Sequence, residues 1–286
     1  MILNETFTLA NGVEIPKLGL GTWMITGADA ERAVKDAIEL GYRHIDSAQD
    51  YGNETEVGAA IKASGIKREE IFVTTKLAAG YKTYQEAVDA INGSLNKLDL
   101  DYIDLMIIHS PQPWPHFGSE DRFEEGNCQA WQALEEAYKA GKIKAIGLSN
   151  FTQYDIDNIL ANCTVKPMLH QLLAHVTNVP TELIEYSQSK GMVVEAYSPV
   201  GHGEMFKNAD VAAMAQKYSV SIPQLCIRYT LQLGLLPLPK TANKAHMENN
   251  ADLEFVITDE DMKVLNELKK IEDYGDASVF PVYQQK

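Results

Sequence analysis

The sequence predicts a closed (β/α)8 TIM barrel with an N-terminal β-hairpin and long loops over its C-terminal face. Short β-branched apolar runs alternate along the chain with segments of helical period, and that alternation means a parallel sheet flanked by helices. Eight strand–helix units favour closure into a barrel over an open doubly wound sheet, the competing arrangement. The length, 286 residues, suits one barrel with extensions. No low-complexity linker and no change of charge character interrupts the chain, so residues 1–286 read as a single domain.

Residues 5–15 alternate weakly around Asn11-Gly12, a strong hairpin turn signal. Lys17 to Gly21 is the first barrel strand, with Thr22, Trp23 and Met24 at its end. A helix follows. Ala33, Val34, Ala37 and Ile38 form its apolar stripe, Asp29 can cap its start and Gly41 ends it. Tyr42 to Asp46 is the second strand, and Asn53 with Glu56 has the spacing of a capping box for a helix over 54–64. Strands are predicted at 71–75, 103–108, 143–147, 168–171, 192–196 and 235–238. Between them fall helices near 83–97, 129–140, 153–161, 180–189, 208–217 and 222–233. Residues 110–128 exceed a minimal connection and carry Trp114, His116 and Phe117. The tail after 270 carries Tyr274, Phe280 and Tyr283.

The net charge of −15 argues against nucleic acid or an anionic membrane as partner. Cys128, Cys163 and Cys226 lack metal or redox spacing and suit a reducing cytoplasm. No basic region followed by an apolar core opens the chain, and no apolar run is long enough to span a bilayer, so neither a signal peptide nor a membrane span is expected. His170 and His175 have no carboxylate partner in a ligand motif, so no metal site is expected.

Chemistry in parallel α/β sheets gathers at the C-terminal ends of strands. Asp46 ends the second strand and Tyr51 lies in the loop after it. Lys76 closes the run Ile71-Phe72-Val73-Thr74-Thr75, and His109 the run ending Ile107-Ile108. Singly, each has a bland reading: Asp46 caps a loop, Tyr51 packs, and a strand-end lysine or histidine is a solvated rim residue. The stretch Gly41-Tyr42-Arg43-His44-Ile45-Asp46-Ser47-Ala48-Gln49-Asp50-Tyr51-Gly52-Asn53-Glu54, together with Lys76 and His109, resembles the signature of the aldo-keto reductases over nearly the whole chain. The resemblance implies a catalytic tetrad of Asp46, Tyr51, Lys76 and His109 and reversible reduction of an aldehyde or ketone to an alcohol. Tyr51 would be the proton donor, its pKa lowered by the Lys76 ammonium, with Asp46 holding Lys76 and His109 donating a hydrogen bond to the carbonyl oxygen. It also places the hairpin across the N-terminal mouth of the barrel.

No side chain supplies a hydride, and Gly19-Leu20-Gly21 lacks the third glycine of a dinucleotide fingerprint. The resemblance implies an extended nicotinamide dinucleotide instead, NADPH with NADH possible. Its contacts would be Gly21, Thr22, Ser149, Asn150, Gln171, Tyr197, Ser198, Pro199, Lys240, Thr241, His246 and Asn250. Trp23, Trp114, Phe117 and Phe280 would line the pocket of a small carbonyl substrate. A monomer or weak dimer is expected. Two departures stand out: His170-Gln171-Leu172-Leu173-Ala174-His175-Val176 replaces the usual Asn, Glu and Pro around the glutamine, and His246 stands where an arginine often grips a 2′-phosphate. The alternative is a nucleotide-binding sensor or auxiliary subunit with little turnover.

Overall fold

Eight parallel strands form a nearly closed barrel in this computed structural model, which describes residues 1–284. The hairpin strands β1 (Thr6–Thr8) and β2 (Glu14–Pro16) pair antiparallel and precede it. Asn11 in their turn donates to Lys144 O at 2.9 Å, which seats the hairpin against the N-terminal end of the strand that carries Lys144. The barrel strands are β3 (Leu20–Gly21), β4 (His44–Asp46), β5 (Phe72–Leu77), β6 (Ile103–Ile108), β7 (Ile143–Ser149), β8 (Leu169–Leu173), β9 (Val193–Tyr197) and β10 (Leu236–Leu238), adjacent in that order. Gly19 and Gly21 N–H groups donate to Pro237 and Pro239 carbonyls at 3.4 and 3.0 Å, and Gly21 bridges Lys240, which brings the first strand back to the last.

Helices α1 (Gly27–Glu39), α2 (Glu54–Ala63), α3 (Tyr84–Leu98), α4 (Glu124–Lys139), α5 (Gln153–Asn162) and α6 (Thr181–Ser189) follow their strands in turn. After β9 come α7 (Ala209–Lys217) and α8 (Ile222–Gln232), and after β10 come α9 (Lys244–Ala251) and α10 (Asp259–Asn266). The predicted stripe of α1, Ala33, Val34, Ala37 and Ile38, is buried. Apolar residues of β5 and β6 are buried along the full strands, as strands covered on both faces require. Gly19 is a position of close approach: a Cβ there would meet His44 Nδ1 at 2.7 Å and Leu238 Cδ2 at 2.5 Å. That bareness lets the His44 ring fill the barrel interior under the site.

Three local expectations are corrected. Thr26, not Asp29, is the N-cap of α1, and Asp29 bonds Arg32 from the first turn at 2.8 Å. Asn53 starts α2 without capping it. Its amide donates to Thr22 O, Thr22 Oγ1 and Ile25 O and accepts from Ser47 Oγ, so tertiary partners override the local box. Helix α4 begins at Glu124 rather than 129, behind Phe123 in a left-handed conformation.

Candidate active site

The centre of the site is Lys76. Strand β5 directs this residue into the barrel, where it is completely buried. Its Nζ donates to Asp46 Oδ2 at 2.6 Å, to Ser47 O at 2.8 Å and to Tyr51 OH at 3.1 Å. An ammonium has three hydrogens, and these three partners account for them. The turn Gln49–Tyr51 after β4 brings the phenol back over the strand end. Burial pushes the Tyr51 pKa well above 10, and the charges of Asp46, Asp50 and Glu195 push the same way. The expected lowering by Lys76 is therefore overturned, because burial, the largest effect, and the nearby carboxyl charges outweigh the ammonium. A high pKa keeps the phenol protonated at neutral pH, which is the state a proton donor needs.

His109 meets Tyr51 edge to face, with ring centroids 5.7 Å apart. Its Nδ1 lies 3.1 Å from Asp50 Oδ2, the oxygen that also accepts from Trp114 Nε1 at 3.0 Å. Burial lowers the ring's pKa. Asp50 opposes that and Lys76 adds to it, and the net shift is downward. Burial pushes the Asp50 carboxyl up, but the bonds from His109 and Trp114 outweigh it and leave its pKa below 3.8. An ionised carboxylate only accepts, so this contact is a hydrogen bond when Nδ1 bears a proton.

Beneath Asp46, Tyr51, Lys76 and His109 lies a polar floor in which Gln171 was expected and Glu195 and His44 were missed. Gln171 Nε2 donates to Asp46 Oδ1 at 3.1 Å and to Glu195 Oε2 at 2.6 Å, using both amide hydrogens. Glu195 is fully buried in β9, and Glu195 Oε1 lies 3.7 Å from His44 Nε2, which is hydrogen-bonded to Thr74 Oγ1 at 3.0 Å. Burial lowers the His44 pKa to about 3, so the ring is neutral and no ion pair forms. Burial, then the charge of Asp46, pushes Glu195 up to about 8. The folded chain thus holds a proton that the unfolded chain, with its glutamate near 4.5, gives up. This stabilisation is complete below pH 4.5 and is lost as pH rises through about 8. Glu195→Gln, which cannot titrate, should therefore gain on the wild type in urea unfolding as pH rises across that window. A constant difference would contradict a protonated Glu195.

Over this floor opens a cavity of about 510 Å3. Gly21, Trp23, Asp46, Tyr51, His109, Trp114, Ser149, Asn150, Gln171, Tyr197, Ser198, Pro199, Lys240 and Phe280 all line it. Asn150 and Ser198 stand at strand ends with φ of 61° and 53°, left-handed conformations that non-glycine residues hold where structure forces them. Tyr197 OH donates to Asn150 Oδ1 at 2.8 Å, and Asn150 Nδ2 donates to His109 O at 3.0 Å, locking the wall. Six expected residues lie outside the lining, Lys76 among them, fully buried against Tyr51 OH. Thr22 is buried with its hydroxyl on Asp46 O. Phe117 packs behind Trp114, centroids 5.9 Å apart. Thr241 Oγ1 accepts from Asn243 N, His246 is exposed on α9, and Asn250 is buried one turn further on. Asp50 and His202 were missed and do line the cavity, as does Tyr283 of the aromatic tail. His202 packs edge-on between Trp23 and Tyr283, both centroids 5.1 Å away.

The unusual segment around Gln171 is structural. His170 Nδ1 pairs with Ser187 Oγ at 2.8 Å, and His175 Nε2 pairs with Tyr274 OH at 2.8 Å, tying the C-terminal tail to the loop after β8. Among the described residues no cluster of candidate ligands could hold a metal ion, and no helix is long and apolar enough to cross a membrane.

The model of the Aldo/keto reductase family matches residues 17–270. A glyoxal reductase of Bacillus subtilis is 38% identical over 275 residues, 96% of each chain. An aldehyde reductase of Saccharomyces cerevisiae is 36% identical, covering 98% of this chain and 97% of its own. Among solved structures, an aldo-keto reductase from a Medee basin deep-sea metagenome library superposes with a TM-score of 0.86 at 38% identity, covering 92% of this chain and 94% of its own. The aldose reductase of Schistosoma japonicum superposes at 0.85 with 34% identity, covering 92% and 91%.

Proposed function

This chain belongs to the aldo/keto reductase family, oxidoreductases that act on carbonyl groups, and we propose that it reduces a small aldehyde or ketone to the alcohol with NADPH, Tyr51 giving the proton. The observation that carries this is the Lys76 ammonium held between Asp46 and Tyr51 OH at the floor of an aromatic-walled cavity. As the carbonyl oxygen gains charge, Tyr51 transfers its proton, and the phenolate left behind sits on Lys76 Nζ. The buried Asp46 keeps Lys76 Nζ aimed at Tyr51 OH.

A nicotinamide ring fits beside Tyr51. Both Gln171 hydrogens are engaged by Asp46 and Glu195, so its Oε1 is left to accept, while Ser149 and the Tyr197 ring supply a hydroxyl and an aromatic face on the same wall. When bound, the reduced dinucleotide supplies the hydride that no side chain can. Lys240 lines the cavity, is exposed and forms no ion pair among the described residues, which suits the 2′-phosphate of NADPH. Free cysteines without pairing suit a reducing cytoplasm.

Lys240→Ala should weaken NADPH binding about ten- to a hundredfold and NADH binding little, the effect of one charge-assisted hydrogen bond. His246→Arg should tighten NADPH selectively, because arginine keeps its charge and its fork at neutral pH. Dissociation constants for both nucleotides from protein fluorescence test this; an unchanged NADPH/NADH ratio in both variants would mean that the phosphate lies elsewhere. A panel of small aldehydes assayed with each nucleotide tests the reaction itself.

A further inference from the structure

Three charged side chains line the cavity: Asp46, Asp50 and Lys240. Asp46 is matched by Lys76 Nζ at 2.6 Å, and Lys240 is the cation assigned above to a phosphate. Asp50 is left over. Its Oδ2 accepts from Trp114 Nε1 at 3.0 Å and lies 3.1 Å from His109 Nδ1. Its Oδ1 takes no hydrogen bond among the described residues, and the side chain is 35% exposed. Burial pushes the carboxyl up, but the bonds from His109 and Trp114 outweigh it and keep the group ionised at neutral pH. The His109 ring, its own pKa lowered by burial, does not cancel that charge.

The wall around this carboxylate is aromatic: Trp23, Trp114, Phe280 and Tyr283 line the same cavity. The Trp114 N–H is already given to Asp50, so the indole offers a ligand its ring and no donor. Aromatic rings beside one unmatched carboxylate are the chemistry that recognises an ammonium group, since the ring quadrupole and the negative charge attract the same cation. A ligand carboxylate meets a like charge there.

We propose that Asp50 is a specificity-determining residue that selects carbonyl compounds carrying a cationic amine, quaternary ammonium included. This rests on reading the cavity as a carbonyl-reducing site. Asp50 and Tyr51 are consecutive in the turn after β4, and the charge of Asp50 is felt at the Tyr51 phenol. A short ligand with its carbonyl oxygen at Tyr51 OH therefore brings a cation a few bonds away toward Asp50 Oδ1. The carboxylate takes no part in hydride or proton transfer. It holds substrate and transition state alike, so its effect falls on KM.

Betaine aldehyde and 3,3-dimethylbutanal share a shape and differ by one fixed charge that no pH change removes. Asp50→Asn keeps the shape of the side chain and an oxygen for the Trp114 N–H, and removes the charge. The ratio of kcat/KM for betaine aldehyde to that for 3,3-dimethylbutanal should fall about fivefold from wild type to Asp50→Asn, mainly through KM, the upper end for a solvent-exposed ion pair. Comparing the two proteins cancels the intrinsic reactivity of the aldehydes. A ratio that the substitution leaves unchanged would overturn the proposal. Calorimetry with choline and its neutral isostere 3,3-dimethylbutan-1-ol needs no turnover: Asp50→Asn should weaken choline about fivefold and the neutral alcohol little. Choline affinity equal in both proteins would overturn the proposal as well. Absence of any aldehyde reduction would refute the carbonyl-reducing reading, and choline binding would still decide whether Asp50 recognises a cation.

Discussion

Tyr51→Phe is expected to bind NADPH as the wild type does and to lose about 10²–10⁴-fold in carbonyl reduction, the usual contribution of a positioned proton donor. The substitution removes one oxygen and keeps the ring. Lys76 Nζ retains Asp46 and Ser47 O as partners, so the fold has little to lose. Circular dichroism and nucleotide affinity should be unchanged while kcat falls. Near-wild-type turnover in a folded, nucleotide-binding variant would take Tyr51 out of the mechanism.

Lys76→Met carries the second large effect, and it divides between stability and rate. Methionine fills the space but leaves Asp46, 3% exposed, with the Gln171 amide and no cation. Removing one partner of a buried ion pair costs about 3–5 kcal/mol. Activity should fall as well, because phenolate formation at Tyr51 loses its ammonium. Adding Asp46→Leu should restore part of the stability and none of the rate, since apolar replacement of a whole buried pair is often neutral. Urea unfolding of the single and double variants measures this. A loss under about 1 kcal/mol in Lys76→Met would mean that Asp46 takes a proton or reaches water.

The barrel was legible as a local signal, whereas Asp46, Tyr51, Lys76 and His109 were singled out by the family resemblance and only their strand-end placement by local pattern. Period-two or continuous apolar runs mark strands, and a polar residue ending such a run, as Asp46 or Lys76 does, lies at the C-terminal face once the sheet is parallel. What was not legible depends on closure. Glu195 sits mid-strand in β9, where nothing local distinguishes it from a surface-facing glutamate. Its contact with Gln171 joins the adjacent strands β8 and β9, but the onward contact of Gln171 with Asp46 of β4 exists only because the sheet curls. Asp50 adjoins Tyr51 in sequence, yet Trp114, 64 residues on, is one of the two partners that give it meaning. The failed box at Asn53 and Glu56 shows the converse, a correct local pattern overridden by Thr22 and Ile25 from another loop. The Tyr51 pKa reversed because the sequence names the lysine beside the phenol but shows neither its burial, the larger effect, nor the charges of Asp50 and Glu195 around it.

The most direct measurement mixes the wild-type protein with NADPH and a small aldehyde and follows both nucleotide and product. One alcohol should form for each NADPH consumed, over many turnovers, and the Tyr51→Phe protein should bind the same nucleotide while forming almost none. Tight NADPH binding without alcohol from any member of an aldehyde panel would contradict a reductase and leave a nucleotide sensor as the function of this barrel.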